Sequence, residues 1–358
     1  MIDVVVPARD EGALIGACLR SVSAPGVRVV VVADGCSDDT AERAAEAGAE
    51  VVETAARGKA AALNTGLSRC RDGAAVVFLD ADTVLTPGTT EALARVLDTP
   101  RPLLAAPRPL LVRPTGRLGR DFAAVWTRLP GVEGDVIGAG CYAVSAAGRE
   151  RWSEFPPIVA DDAFVRTLFA PDERVVVREG AFLLVLPEGR ELVDVVRRWR
   201  SGNAALETSP SVDRTGNLRV VARRPGLWPH LPGFAAVLAA GKLRSTTGWA
   251  RASRLREVGR PAAEYTLVVD PSVTPAADAR AQLETLAWRF PAACVYGAGE
   301  GTVVRRGKPA GLALAETRLW ERAGKPDRVA TLCERAAALG ARPLITPLAT
   351  YLGSRAKH

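Results

Sequence analysis

The sequence predicts an α/β fold in which a mainly parallel central sheet is flanked by helices and followed by a further C-terminal α/β region. Three observations predict it. Over the first 100 residues, short apolar runs rich in β-branched residues alternate with stretches of helical periodicity. Acidic residues, glycines and small polar residues cluster just after those runs, where the strands of a parallel sheet would end. The alternation resumes near residue 265, after a stretch rich in Arg, Pro and Gly. Strands and helices in alternation give a parallel sheet covered on its faces.

The elements follow in order. Residues 2–6 form an apolar strand, and residues 13–22 place Leu14, Ile15, Cys18, Leu19 and Val22 at helical spacing. Strands at 29–32, 51–52 and 74–79 alternate with an alanine-rich helix at 38–47 and a helix at 59–69. The next part is less regular: a strand-like stretch at 103–112, a strand at 141–144, a helix at 161–169, strand-like runs at 175–177 and 182–186, and a helix at 190–203. Beyond 265 come strands at 266–269, 293–296 and 344–345, with helices at 276–289, 316–323 and 327–339. The expected organisation is a domain at 1–205, with halves 1–100 and 101–205, a basic Pro/Gly-rich linker or docking segment at 206–262, and a C-terminal region at 263–358 of unassigned role.

Composition narrows the function. The chain has 358 residues, 48% hydrophobic and 24% charged, an ordinary globular balance. Six cysteines stand alone at 18, 36, 70, 141, 294 and 333, and with only two histidines a zinc site is not expected. Scattered cysteines suit a reducing cytoplasm. The N-terminus has no signal-peptide pattern and no apolar run reaches 18 residues, so a cytoplasmic chain without a spanning helix is expected. The net charge of +7 is local: residues 196–260 hold 13 basic residues against three acids, and the rest holds 34 basic against 37 acidic. That segment calls for an anionic partner, and peripheral contact with the inner face of the membrane is one reading of it. The apolar stretch 227–243, with Trp228 and Phe234, fits either such a contact or a packed core helix.

The sharpest motif is Asp80-Ala81-Asp82 after an apolar strand. Positions i and i+2 of a strand share a face. Two carboxylates so placed suit a sugar hydroxyl and a hard divalent cation, which takes oxygen ligands. Capping a strand end is the plain alternative. The motif has company: Pro7-Ala8-Arg9-Asp10-Glu11 after the first strand, Asp34-Gly35-Cys36-Ser37-Asp38-Asp39-Thr40 after the second, and Gly58-Lys59 through Asn64 at the start of a helix. Turn and N-cap chemistry accounts for Asp34 and Ser37 as well. The glycine spacing of a P-loop is absent.

Taken together, these four motifs resemble the nucleotide-binding half of family 2 glycosyltransferases, which have the GT-A fold. The resemblance is dense over 2–100 and looser over 130–203. It implies a hexosyltransferase-type enzyme that uses a nucleotide-diphosphate sugar of UDP, GDP or dTDP type, with Mg²⁺ or Mn²⁺. Pro7, Ala8, Arg9 and Glu11 would contact base and ribose, and Asp34 the base. Gly58 and Lys59 would lie beside base or diphosphate. Asp80 and Ala81 would face the ribose, and Asp82, with Asp80, would hold the metal. Val159-Ala160-Asp161-Asp162 is similar to the family's Glu-Asp motif, with Asp161 in the Glu position. Asp162 would be the general base for an inverting single displacement, with Asp161 beside it. Gly138 to Tyr142, with Gly140, resembles the small-residue stretch that lines the acceptor side. Arg198-Trp199 matches the end of the processive Gln-x-x-Arg-Trp motif, but Val195 replaces its Gln, which favours single transfer. Arg198 and Trp199 would meet acceptor or diphosphate.

Rival readings are a sugar nucleotidyltransferase and a catalytically degenerate nucleotide-sugar binding module. Nucleic-acid binding is not expected, because the basic segment has no aromatic-interleaved reader motif. The acceptor, the donor sugar and the oligomeric state stay open.

Overall fold

Strand β1 (Ile2–Ala8) is the hub of the first unit, Met1–Arg254. The computed structural model describes residues 1–204 except 23, 87, 113, 115, 138, 159 and 188, then 214–242, 265–269, 274–275, 283, 294–297, 312–339, 344–346 and 351–352. Around β1 the chain lays down α1 (Gly12–Val22), β2 (Val27–Asp34), α2 (Thr40–Glu46), β3 (Glu50–Thr54), α3 (Lys59–Leu67) and β4 (Ala75–Leu79). β1, β2, β3 and β4 pair in parallel. Residues of β1 divide between the two faces as a pleated strand requires. Ile2, Val4 and Val6 join one core with Ile15, Leu19 and Leu93, while Val5 joins the other with Leu63, Phe78 and Tyr142. Gly66 lets α3 sit down on the sheet, since a Cβ there would lie 2.3 Å from a methyl of Val5.

The second half of the sheet is built from β5 (Val84–Leu85), α4 (Thr89–Leu97), β6 (Leu104–Val112), α5 (Arg117–Trp126), α6 (Pro130–Glu133), β7 (Cys141–Val144), α7 (Ala146–Arg149), α8 (Asp161–Thr167) and β8 (Arg174–Val185). The eight-stranded order is β3-β2-β1-β4-β7-β6-β8-β5. Strand β7 runs antiparallel between β4 and β6, so the sheet is mixed but mostly parallel. The two runs read from the sequence at 175–177 and 182–186 are one strand. Its ladder to β6 jumps from Val177 to Ala181 across a bulge, and Arg178-Glu179-Gly180 is the looped-out part, which breaks the apolar pattern without ending the strand.

The segment 206–262, read as linker or docking segment, holds helices among its described residues. After α9 (Arg190–Ala204) come α10 (Arg214–Arg223), a 3₁₀ turn at Pro225–His230 and α11 (Leu231–Ala240). Phe234, Val237 and Leu238 of α11 pack with Phe122 of α5 and Val196 of α9. Their spacing is that of one helix face, so residues 231–238 are core-packed on that side.

The second unit, Leu255–His358, contains a four-stranded sheet in the order β13-β11-β12-β9. Its described elements are β9 (Tyr265–Val269), β10 (Thr274–Pro275), β11 (Cys294–Gly297), β12 (Leu312–Glu316), α12 (Thr317–Arg322), α13 (Val329–Ala338), β13 (Leu344–Thr346) and β14 (Tyr351–Leu352). The strand β12 has no counterpart in the sequence reading, which begins a helix at 316. Ala313 and Ala315 face a core with Leu319, Leu332 and Cys333, and alanine carries little strand signal. The helix expected at 276–289 lies outside the described residues except for position 283.

Candidate active site

The parallel strands deliver their chemistry to one edge. Asp34, the last residue of β2, is buried. Its carboxylate accepts N–H bonds from Arg57 at 2.9 Å and Gly58 at 2.8 Å, and the Thr54 hydroxyl at 3.1 Å. Asp34 therefore holds the loop that leads into α3, and Lys59 is the first residue of that helix. The loops after β1 and β2 lock each other in the same way. Glu11 N–H donates to the buried Thr40 hydroxyl at 2.7 Å, Gly12 N–H to Asp38 at 3.0 Å, and Ser37 N–H to Asp10 at 2.6 Å. Pro7 and Ala8 are buried at the end of β1, and Arg9 is half-buried beyond them.

Lys59 is the centre of the arrangement. Its ammonium lies 2.8 Å from Asp80 Oδ1 and 2.9 Å from Asp161 Oδ1. The other oxygen of Asp161 accepts the Tyr142 hydroxyl at 2.8 Å. Asp161 is buried, Asp80 is partly exposed and Asp82, two residues on, is exposed. The position of Asp80 follows from the sheet. Leu79 pairs with Cys141 in the last rung between β4 and β7, and Asp80 N–H then donates to Gly140 O at 2.9 Å. Gly140 has φ +103, and a Cβ there would lie 2.6 Å from Thr83 Oγ1, so glycine is required beside Asp80.

Burial works against charge on Lys59, yet Asp161 and Asp80 hold its ammonium above the ordinary lysine range. Burial first, and then the Asp161 carboxylate, push the Tyr142 phenol up, so it stays a neutral donor. Asp162, next on α8, is pushed up to about 7 by burial and by Asp161, against the opposing field of Lys59. That places its proton affinity where a general base works at neutral pH.

The structure thus brings Lys59, Asp80, Asp161 and Gly140 into one network. Trp199 lies in another environment: its ring stacks on Trp126 at 5.5 Å within the α5–α9–α11 cluster, with Arg198 half-buried next to it. Gly138 and Val159 lie outside the described residues. Two contributors have no separate role in the sequence reading. Tyr142 appears there only within a small-residue stretch. Asn64 closes the Gly58-Lys59 motif, and its amide clasps Phe155 from both sides, donating to its carbonyl at 3.0 Å and accepting its N–H at 2.7 Å. The signal for Asn64 was its place on α3, just over a turn beyond Lys59.

Comparison with known proteins follows this geometry. Residues 3–131 match the profile of glycosyl transferase family 2. Among solved structures the chain is similar to the mannosyltransferase PcManGT from Pyrobaculum calidifontis in complex with GDP-Man and Mn²⁺, at 22% identity over 69% of this chain and 76% of that one, with a TM-score of 0.45. It is similar to glucosyl-3-phosphoglycerate synthase from Mycobacterium tuberculosis in complex with Mn²⁺, UDP and glucosyl-3-phosphoglycerate, at 28% identity and TM-score 0.31, and covers 41% of this chain and 57% of the synthase. A third is TarS residues 1–349 of S. aureus in complex with UDP-GlcNAc, at 14% identity over 67% of this chain and 80% of that one, with TM-score 0.38. No curated protein matches. Residues 3–131, which carry Lys59, Asp80 and Asp82, are the part of the chain that matches glycosyl transferase family 2.

Proposed function

We propose that the chain transfers a single sugar, with inversion, from a nucleotide-diphosphate sugar to an acceptor hydroxyl in a metal-dependent reaction. The observation that carries this is the shared ammonium of Lys59, which ties Asp80 on the donor side to Asp161, the neighbour of Asp162. Asp82 and Asp80 offer exposed or half-exposed carboxylate oxygens, the donor type that Mg²⁺ or Mn²⁺ takes. When bound, the ion would neutralise charge on the departing nucleoside diphosphate.

The chain's own residues have distinct tasks in this reading. The interlocked loops 9–12 and 36–40 form the floor for base and ribose. Asp34 sets the direction of Lys59. Lys59 stays cationic beside the diphosphate. Asp162 takes the acceptor proton as that oxygen attacks the anomeric carbon opposite the leaving group, and Asp161 is held still beneath it. Arg198 remains a candidate contact for diphosphate or acceptor, whereas Trp199 is assigned to packing. The reading includes a cytoplasmic location, with part of 196–260 meeting an acidic membrane surface. Among the described residues no helix is long and apolar enough to cross a membrane.

Thermal shift with UDP, GDP and dTDP, each with and without Mn²⁺, tests this. A nucleotide that binds only the folded state stabilises it by about 2.7 kcal/mol at a hundredfold excess over Kd. The expected result is a metal-dependent shift with one nucleotide, abolished in Asp82→Ala. A folded protein that responds to none of them would refute the reading.

A further inference from the structure

Residues 214–242 contain no acidic side chain, while Arg214, Arg219, Arg223, Arg224 and Lys242 supply positive charge. Helix α11 has no polar side chain at all. Its inner face is Phe234, Val237 and Leu238, packed on α5 and α9. Its outer face, between those positions on the helix, is Pro232, Ala235, Ala236 and Ala239, all exposed. A helix face turned to water ordinarily carries charged or polar groups.

The neighbouring surface is unusual in the same sense. Among the described residues, the exposed large apolar side chains are Met1, Leu118, Leu218, Trp228 and Leu339. Three of them, Leu118 at 44%, Leu218 at 71% and Trp228 at 55% exposure, belong to the layer formed by α5, α10 and the turn at 225–230. The Trp228 indole N–H donates to Val221 O at 3.0 Å, which fixes the ring against α10. Arg117, Arg219 and Arg223 are exposed in the same elements. Among the described residues, Asp121 lies against His230 at 2.7 Å and Arg117 at 3.9 Å, and Glu133 pairs with Arg224 at 3.2 Å.

We infer that the α5–α10–α11 layer is a docking surface for an anionic lipid bilayer. Leu118, Leu218 and Trp228 enter the boundary between headgroups and acyl chains, and the arginines between them meet lipid phosphates. Single apolar side chains set among arginines suit a fluid surface, where each finds its own depth. A nucleic acid would need a basic groove with stacking aromatics, and here Trp228 is the one exposed aromatic among the described residues of the layer. The inference deepens the membrane-contact reading of 196–260 and rests on it, but it is independent of the sugar-transfer chemistry.

Co-sedimentation of the full-length chain with vesicles tests it, using phosphatidylcholine alone and phosphatidylcholine mixed with phosphatidylglycerol. The chain is expected to bind the mixed vesicles, to leave the neutral ones in suspension, and to be released as salt rises. Each arginine near an anionic surface contributes roughly fivefold to partitioning, so Arg219→Ala with Arg223→Ala should lower it about 30-fold. Leu218→Ser with Trp228→Ser should weaken it as well, and Arg95→Ala on α4 should bind like the parent chain. Folding of each variant is checked by circular dichroism. A folded chain that ignores anionic vesicles at low salt overturns both the docking surface and the membrane reading. Binding that the layer variants leave unchanged overturns the surface alone. A dimer dissolved by Leu218→Glu would assign the face to a second copy and overturn the lipid assignment.

Discussion

Tyr142 and Asp161 are joined by a buried hydrogen bond of 2.8 Å between β7 and the first residue of α8. The phenol gives its proton to one carboxylate oxygen while Lys59 holds the other. Asp161 is thus held at both carboxylate oxygens, and its proximity is one reason that Asp162 beside it binds a proton more tightly.

Removing the phenol therefore tests the anchor. Tyr142→Phe keeps the ring that stacks on Phe78 and deletes only the donor. Loss of a hydrogen bond to a buried carboxylate costs about 1–3 kcal/mol. The expected result is a folded variant with a lower Tm and a lower kcat, while nucleotide binding stays close to that of the parent chain. Urea denaturation together with steady-state kinetics measures both.

Lys59 should matter more than Tyr142. Lys59→Met leaves the buried Asp161 without its cation, and breaking a buried ion pair from one side costs about 3–5 kcal/mol. Lys59→Arg, which keeps the charge, should recover much of the stability but little of the activity, because its planar fork does not reproduce the compact ammonium between two carboxylates. Thermal unfolding separates the two variants.

The raised proton affinity of Asp162 fixes two pH dependences. A general base must be ionised, so activity should rise with pH through about 7. Stability should move the other way. Between the ordinary carboxylate range and about 7, the folded chain keeps a proton that the unfolded chain has released, so this group's stabilising contribution is present in acid and is lost as pH rises through about 7. Asp162→Asn should abolish transfer and flatten this part of the Tm profile. A parent-chain rate that is flat from pH 5 to pH 9 would remove Asp162 from the role of base.

Gly140 is the backbone counterpart of these side chains. Gly140→Ala forces a Cβ into the left-handed region and towards Thr83, at a cost of about 1–3 kcal/mol. Because Gly140 O receives the Asp80 N–H, the metal-dependent nucleotide shift should weaken together with stability.

Trp199→Ala should separate packing from chemistry. It unstacks Trp126 and opens the α5–α9–α11 cluster, which for a large aromatic costs about 3–5 kcal/mol. A fall in Tm with unchanged KM for donor and acceptor is the expected outcome, and a large rise in acceptor KM would return Trp199 to the site.

What was legible in the sequence was chemistry tied to strand ends. Asp34, Asp80, Asp82 and Lys59 stand in short motifs whose spacing follows the chain, so their common edge could be read. Tyr142 could not be assigned a role, because its partner is 19 residues away and the pairing depends on β4 and β7 being adjacent. For Asp34 the sequence offers both a base contact and turn or N-cap chemistry, and its carboxylate accepts backbone N–H groups of the loop after β3, a partner that depends on β2 and β3 being adjacent. The strand β8 was split in two because a bulge imitates a turn in one dimension. Helix α10 has no counterpart in the sequence pattern, where Arg and Gly dominate the local signal, whereas α11 lies in the apolar stretch 227–243 that fits a packed core helix, and it packs through Phe234, Val237 and Leu238.

The clasp between Asn64 and Phe155 spans 91 residues and sits on the helix that begins with Lys59. As the chain leaves the ribosome, the segment up to residue 131 emerges before Gly140, which receives the Asp80 N–H, and before Asp161. Until then Lys59 faces Asp80 alone, and the amide of Asn64 has no backbone to hold. The Lys59 network is therefore completed by long-range contacts, of the kind whose growing sequence separation slows folding. A fragment limited to residues 3–131 would hold Lys59, Asp80 and Asp82 but neither Asp161 nor Phe155.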